Sequence, residues 1–63
     1  MEAEFGKKLS SLRKQHGMSQ AELAEALDVS RQAVSKWEQG AAFPATENLL
    51  GMSALFDMSV DTL

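Results

Sequence analysis

Residues 19–40 read SQAELAEALDVSRQAVSKWEQG, and the reading of this stretch decides the fold. Ser19 is placed to cap a helix, and Glu22 three residues later can reach back to complete a capping box. Met18 before the cap and Leu23 inside the helix stand at the spacing of a hydrophobic staple. Leu23, Ala24 and Leu27 then form a buried face, and this helix ends near Leu27. Only Asp28 and Val29 precede Ser30, a second cap, and Val29 with Val34 repeats the staple spacing. The next helix runs from about Arg31 to Gln39. Gly40 stops it, because glycine takes the left-handed conformation a helix end often needs.

Two short helices joined so tightly cannot lie antiparallel. They cross steeply, which is the geometry of a helix-turn-helix. Upstream, Phe5, Leu9 and Leu12 recur at i, i+4 and i+7 and predict a helix from about Glu4 to Gln15, ended by Gly17. Downstream, a loop holds Pro44, the one proline of the chain, and a helix follows from about Thr46 to Phe56. Its expected buried residues are Leu49, Leu50, Met52 and Leu55, and Gly51 inside it costs about 1 kcal/mol relative to alanine. Ser59 looks like the cap of a fifth helix, and the chain stops at Leu63, barely one turn in. A helix so short is not stable alone, so the expectation is a fragment of a longer chain. No stretch alternates apolar and polar residues for long. The expected fold is all-α, a compact bundle of four to five short helices, with residues 1–63 as one domain.

Sixty-three residues make one small domain with a marginal core. With no cysteine, disulfides and thiolate metal sites are excluded, which suits a reducing cytoplasm. No apolar run approaches the roughly 20 residues of a membrane span, and no basic-then-apolar leader opens the chain. The single histidine, His16, has no partners for a metal site, and no nucleophile–base or carboxylate pair suggests catalysis. The expectation is a cytoplasmic, non-enzymatic protein without cofactor. The net charge of -3 taken as a sum opposes a nucleic-acid partner, but the charge is polarised. Residues 1–36 carry six basic and five acidic side chains, whereas residues 37–63 carry four acidic and none basic.

The third helix is the informative one. Val34 and Trp37 must face inward, and small Ala33 can lie against the second helix. The opposite face then presents Arg31, Gln32, Ser35, Lys36 and Gln39, all hydrogen-bonding and none acidic. A surface helix ordinarily mixes both signs, so an acid-free face is a signal. Arginine bonds guanine bidentately in the major groove, and glutamine bonds adenine.

With these residues in place, the run 19–40 resembles the helix-turn-helix of the lambda-repressor/Cro-like group, the Xre family. The likeness extends from LRKQHGMSQ to LFDMSVDTL, with the WEQG ending matching as well. The resemblance implies double-stranded DNA as the partner, read by a recognition helix in the major groove. Arg31, Gln32 and Lys36 would reach base edges, with Ser35 a weaker candidate. Gln20, Ser30 and Gln39 would hold phosphates, helped by the unpaired amides of helix N-termini. Arg13 and Glu38 match family positions that pair to tie the first helix to the third. Asp28 departs from the family, which often has glycine there. Lys7, Lys8 and Lys14 read most simply as solvated, with an approach of Lys14 to the DNA backbone as the alternative.

The leading expectation is a prokaryotic or phage transcription regulator, in the first instance a repressor, binding a palindromic operator as a weak homodimer stabilised on DNA. Phe56, Met58, Val60 and Leu63 are the expected pairing surface. A DNA-binding antitoxin would use the same recognition surface. A protein-interaction module that reuses the fold is the alternative of a different class, favoured slightly by the acidic total and opposed by the acid-free face.

Overall fold

The computed structural model describes the backbone of residues 2–57 and the side chains of residues 4–57. Four helices follow one another: α1 (Glu2–Gln15), α2 (Gln20–Leu27), α3 (Arg31–Gln39) and α4 (Thr46–Phe56). No strand occurs among the described residues, and the all-α expectation holds. The bounds of α2, α3 and α4 are those the sequence implied, while α1 begins two residues earlier, at Glu2.

The capping chemistry sets those bounds. The Ser19 hydroxyl oxygen accepts from the Glu22 backbone N–H at 3.0 Å, and the Glu22 carboxylate accepts from the Ser19 N–H at 2.8 Å. Two orphan amides of α2 are thereby satisfied reciprocally. At α3 the Ser30 hydroxyl oxygen accepts from the Ala33 N–H at 3.1 Å. An alanine at that third position offers no carboxylate to reach back, so α3 has the cap without the box. Asp28 ends α2 in the left-handed region at φ 58°, and Val29 N–H closes the turn on the Ala24 carbonyl at 2.9 Å. Gly40 ends α3 at φ 78°, as its sequence position implied.

Each helix sends one side chain to the centre. Leu9 of α1, Leu23 of α2, Val34 of α3 and Met52 of α4 are fully buried, and Phe5, Ala24, Trp37 and Phe56 close around them. Burying a side chain of this size is worth about 1.5–3 kcal/mol, so a few such residues carry much of a small core. Trp37 belongs to this core, as its spacing with Val34 implied. Gly6 shows how α1 meets α3. A Cβ there would lie 2.6 Å from the Trp37 carbonyl oxygen and would also strike that of Glu38. Only glycine allows α1 to rest on the last turn of α3.

Three expectations for α4 are corrected. Leu50 is 56% exposed and Leu55 36% exposed, while Phe56 is 5% exposed. The inward stripe is Leu49, Met52 and Phe56, at i, i+3 and i+7. Leu50 follows Leu49 by one residue and is carried about 100° away around the helix. Phe56 is not a surface residue but part of the core, and the His16 ring just past α1 lies tilted against it, with centroids 4.9 Å apart. The expected fifth helix from Ser59, and with it Met58, Val60 and Leu63, lies outside the described residues.

Candidate nucleic-acid interface

α3 is amphipathic in a simple way. Val34 and Trp37 hold its inner face in the core, and its cap and the tight Asp28–Val29 turn fix it against α2. Arg31, Gln32, Lys36 and Gln39 are exposed, and Ser35 is half-buried. The five residues singled out for hydrogen bonding therefore share the outer side of one helix. Gln39 Nε2 donates to the Ser35 hydroxyl oxygen at 3.0 Å, which links the middle of that face to its C-terminal end. The Ser35 hydroxyl, with one lone pair so occupied, still has its proton to donate. Ser30 stands at the start of the helix, its oxygen engaged as the cap.

Glu38 is the one acid of α3, and the fold withdraws it from that face. Arg13 Nε donates to Glu38 Oε2 at 2.7 Å and Arg13 Nη2 to Oε1 at 3.1 Å, a bidentate pair across α1 and α3. The two side chains are only 11% and 8% exposed. Arg13 Nη1 also donates to the Met18 carbonyl at 2.8 Å, so one guanidinium joins α1, the loop before α2, and α3. The hydrogen bond to Glu38 holds the Arg13 pKa above its ordinary value against the opposing effect of burial. Burial alone would raise the Glu38 carboxyl. The hydrogen bonds from Arg13 and Gln20, with the charges of Arg13 and Lys14, outweigh burial and hold it below the usual carboxylate range. The pairing read from the sequence as structural is therefore present, and it acts as a clasp.

Gln20 adds a contact the sequence reading missed. Its Nε2 donates to Glu38 Oε1 at 3.1 Å, so the first residue of α2 is tied to the end of α3. The two positions are 18 residues apart, and no local spacing links them. Gln20 and Gln39 also line one open groove together with Lys7 and Lys14 of α1. Gln20, Ser30 and Gln39 thus lie at the edges of the α3 face, and Arg31, Gln32, Ser35 and Lys36 along it.

This assembly offers hydrogen-bond donors along one face. Among the described residues no His, Cys, Asp or Glu cluster could hold a metal ion, and no helix is long and apolar enough to cross a membrane. The helix-turn-helix family model matches residues 9–63. The chain belongs to that family. Its resemblance to the lambda-repressor/Cro-like group is thereby upheld. The HTH-type transcriptional activator BcrR of Enterococcus faecalis is 45% identical over 60 residues, which are 95% of this chain and 29% of that protein. The chain therefore spans less than a third of this curated relative. The restriction-modification controller protein C.AhdI from Aeromonas hydrophila superposes with a TM-score of 0.85 at 29% identity, covering 94% of this chain and 89% of that one. A transcriptional regulator from Listeria innocua superposes with a TM-score of 0.90 at 32% identity, covering 100% of this chain and 59% of that one. The helix-turn-helix segment of this chain is α2, the Asp28–Val29 turn and α3.

Proposed function

We propose that this chain is the DNA-reading part of a cytoplasmic transcription regulator, without catalytic activity, that lays α3 in the major groove of an operator. The observation that carries the reading is the acid-free outer face of α3, made so by the burial of Glu38 against Arg13. The names of its relatives as regulators support the same role. In this reading Arg31, Gln32, Ser35 and Lys36 contact base edges, and Gln20, Ser30 and Gln39 contact phosphates. The operator is a pseudo-palindrome bound by two copies. Repression is the simplest outcome, since occupancy of an operator needs no contact beyond DNA. Activation adds a contact to the transcription machinery, and a reporter gene behind the selected operator distinguishes the two.

Selection of bound sites from random DNA tests the proposal. A palindromic consensus supports it, and no enrichment overturns it in favour of a protein-interaction module. The assigned roles separate by variant. Arg31→Ala relaxes preference at one base pair, losing about 1–3 kcal/mol there. Gln39→Ala weakens all sequences alike, as a phosphate contact does. Equal weakening of every sequence by Arg31→Ala would remove it from base readout.

A further inference from the structure

We infer that the groove between α1 and the α2–α3 unit is a second docking channel for DNA, in which Lys7 and Lys14 grip backbone phosphates flanking the bases read by α3; this rests on the DNA-binding reading above. Lys7, Ser10, Ser11 and Lys14 all line the groove and stand at i, i+3, i+4 and i+7, one stripe of α1. Both lysines are exposed. Seven residues of helix place them about 10.5 Å apart along the axis. That separation exceeds one axial rise of the duplex, so the two ammoniums can meet different phosphates of one strand. The two serines between them are small, so the stripe is a trough with a cation at each end.

The facing wall is made by Gln20 and Gln39. Gln20 gives one amide hydrogen to Glu38, and a carboxamide has a second to offer. Glu38 also lines the groove, and a free carboxylate there would repel phosphate. It is not free: Oε2 accepts from Arg13, and Oε1 accepts from Arg13 and Gln20. The Arg13–Glu38 pair is neutral as a unit, so Lys7 and Lys14 give the groove a net positive charge. The channel also continues the recognition face, because Gln39 both lines it and donates to Ser35. A duplex seated on α3 passes its flanking strand over this end. A flexible ammonium suits such a site, since it meets phosphate as a point charge without demanding a fixed angle. The chain is acidic overall, so cations gathered here matter more than their number suggests.

The experiment uses the chain with its own selected DNA site and measures affinity between 50 and 200 mM salt for wild type, Lys7→Gln, Lys14→Gln and the double variant. Lys8→Gln is the control, since Lys8 is exposed on the same helix and does not line the groove. Each groove lysine removed should lower the salt slope by about one, so that the affinity lost across this range shrinks roughly threefold per lysine. Base preference and melting temperature should stay as in wild type, and Lys8→Gln should change the slope less than either. An unchanged slope in the double variant overturns the channel. So does an equal effect of Lys8→Gln, or a changed base preference. If the wild-type chain enriches no DNA at all, the DNA-binding reading fails first and the channel falls with it.

Discussion

Arg13, on α1, bonds both α3 and the loop before α2 through one side chain, and that concentration sets the cost of losing it. Arg13→Ala leaves Glu38 with only Gln20 as a donor and leaves the Met18 carbonyl without its guanidinium. Glu38→Ala leaves a nearly buried guanidinium without its counter-charge. Breaking such a pair from one side costs roughly 3–5 kcal/mol, because a charge stays behind uncompensated. Removing both sides leaves no such charge, so the double variant should be far less damaged than the sum of the singles. Thermal melting of the four chains checks this. Additive losses of DNA binding with unchanged melting would make Arg13 a DNA contact instead. The same pair gives a pH signature. Glu38 has a folded pKa below its ordinary value, so its contribution is complete above the unfolded carboxylate range, about 4.3 for glutamate. It is lost as pH falls through the lower folded value. Arg13, raised, stays charged throughout and adds no loss in acid. The wild-type melting temperature should therefore fall more steeply on acidification below pH 5 than that of Glu38→Gln, which starts lower at neutral pH. Parallel curves for the two would deny Glu38 this role.

The elements were largely legible because each boundary is written locally. Ser19 with Glu22 opens α2 and Ser30 opens α3, so caps, turn and staples are all read within a few residues. Where the reading failed, the missing information was not local. Leu50 and Leu55 have the composition of core residues, and only the direction from which the other helices approach α4 decides that they face outward. Phe56 reads as a surface residue because what packs against it is distant in sequence, such as His16, 40 residues away just past α1. The tie from Gln20 to Glu38 and the close approach at Gly6 likewise need the packing of α1 on α3. Lys7 and Lys14 read most simply as solvated, because nothing local says that a second wall faces them. The turn itself offers a test at this scale. Asp28 holds φ 58°, a conformation that costs a non-glycine residue roughly 1–2 kcal/mol, offset in part by the extra chain entropy glycine would lose. Asp28→Gly should raise stability by up to about 1 kcal/mol and, by removing a negative charge beside α3, tighten DNA binding. Asp28→Ala keeps the left-handed backbone without the short polar side chain that tolerates it better than most, and should destabilise. A fall in melting temperature for Asp28→Gly would mean that the carboxylate makes a contact worth more than the strain.

At the scale of the whole molecule, charge and apolar surface lie in different places, and both bear on assembly. Basic residues stop at Lys36, and everything beyond is neutral or acidic. Phosphate attraction is therefore confined to α1, the start of α2 and α3, and the C-terminal half weakens it. One short helix reads only a few base pairs, too little to pick out a site in a genome. Regulators of this kind double the site by symmetry, with half-site centres roughly 34 Å apart. The pairing surface must then lie off α3. Phe56 is removed from it by burial, and Leu50, the more exposed leucine of α4, takes its place, while Leu55 lies about 140° further around the helix. One leucine makes a small apolar contact, and specific protein interfaces usually bury about 800 Å² per partner. The free chain should accordingly be mostly monomeric and should pair when two half-sites bring the copies together. Sedimentation should show a monomer. Titration should show cooperative binding to a full operator and weaker binding to a half-site, with a shallow salt dependence set by the few cations that reach phosphate. Leu50→Glu should abolish the cooperativity and leave half-site affinity almost unchanged, because it alters the pairing surface and not α3. A tight dimer without DNA, equal affinity for one and two half-sites, or intact cooperativity in Leu50→Glu would place the twofold contact elsewhere.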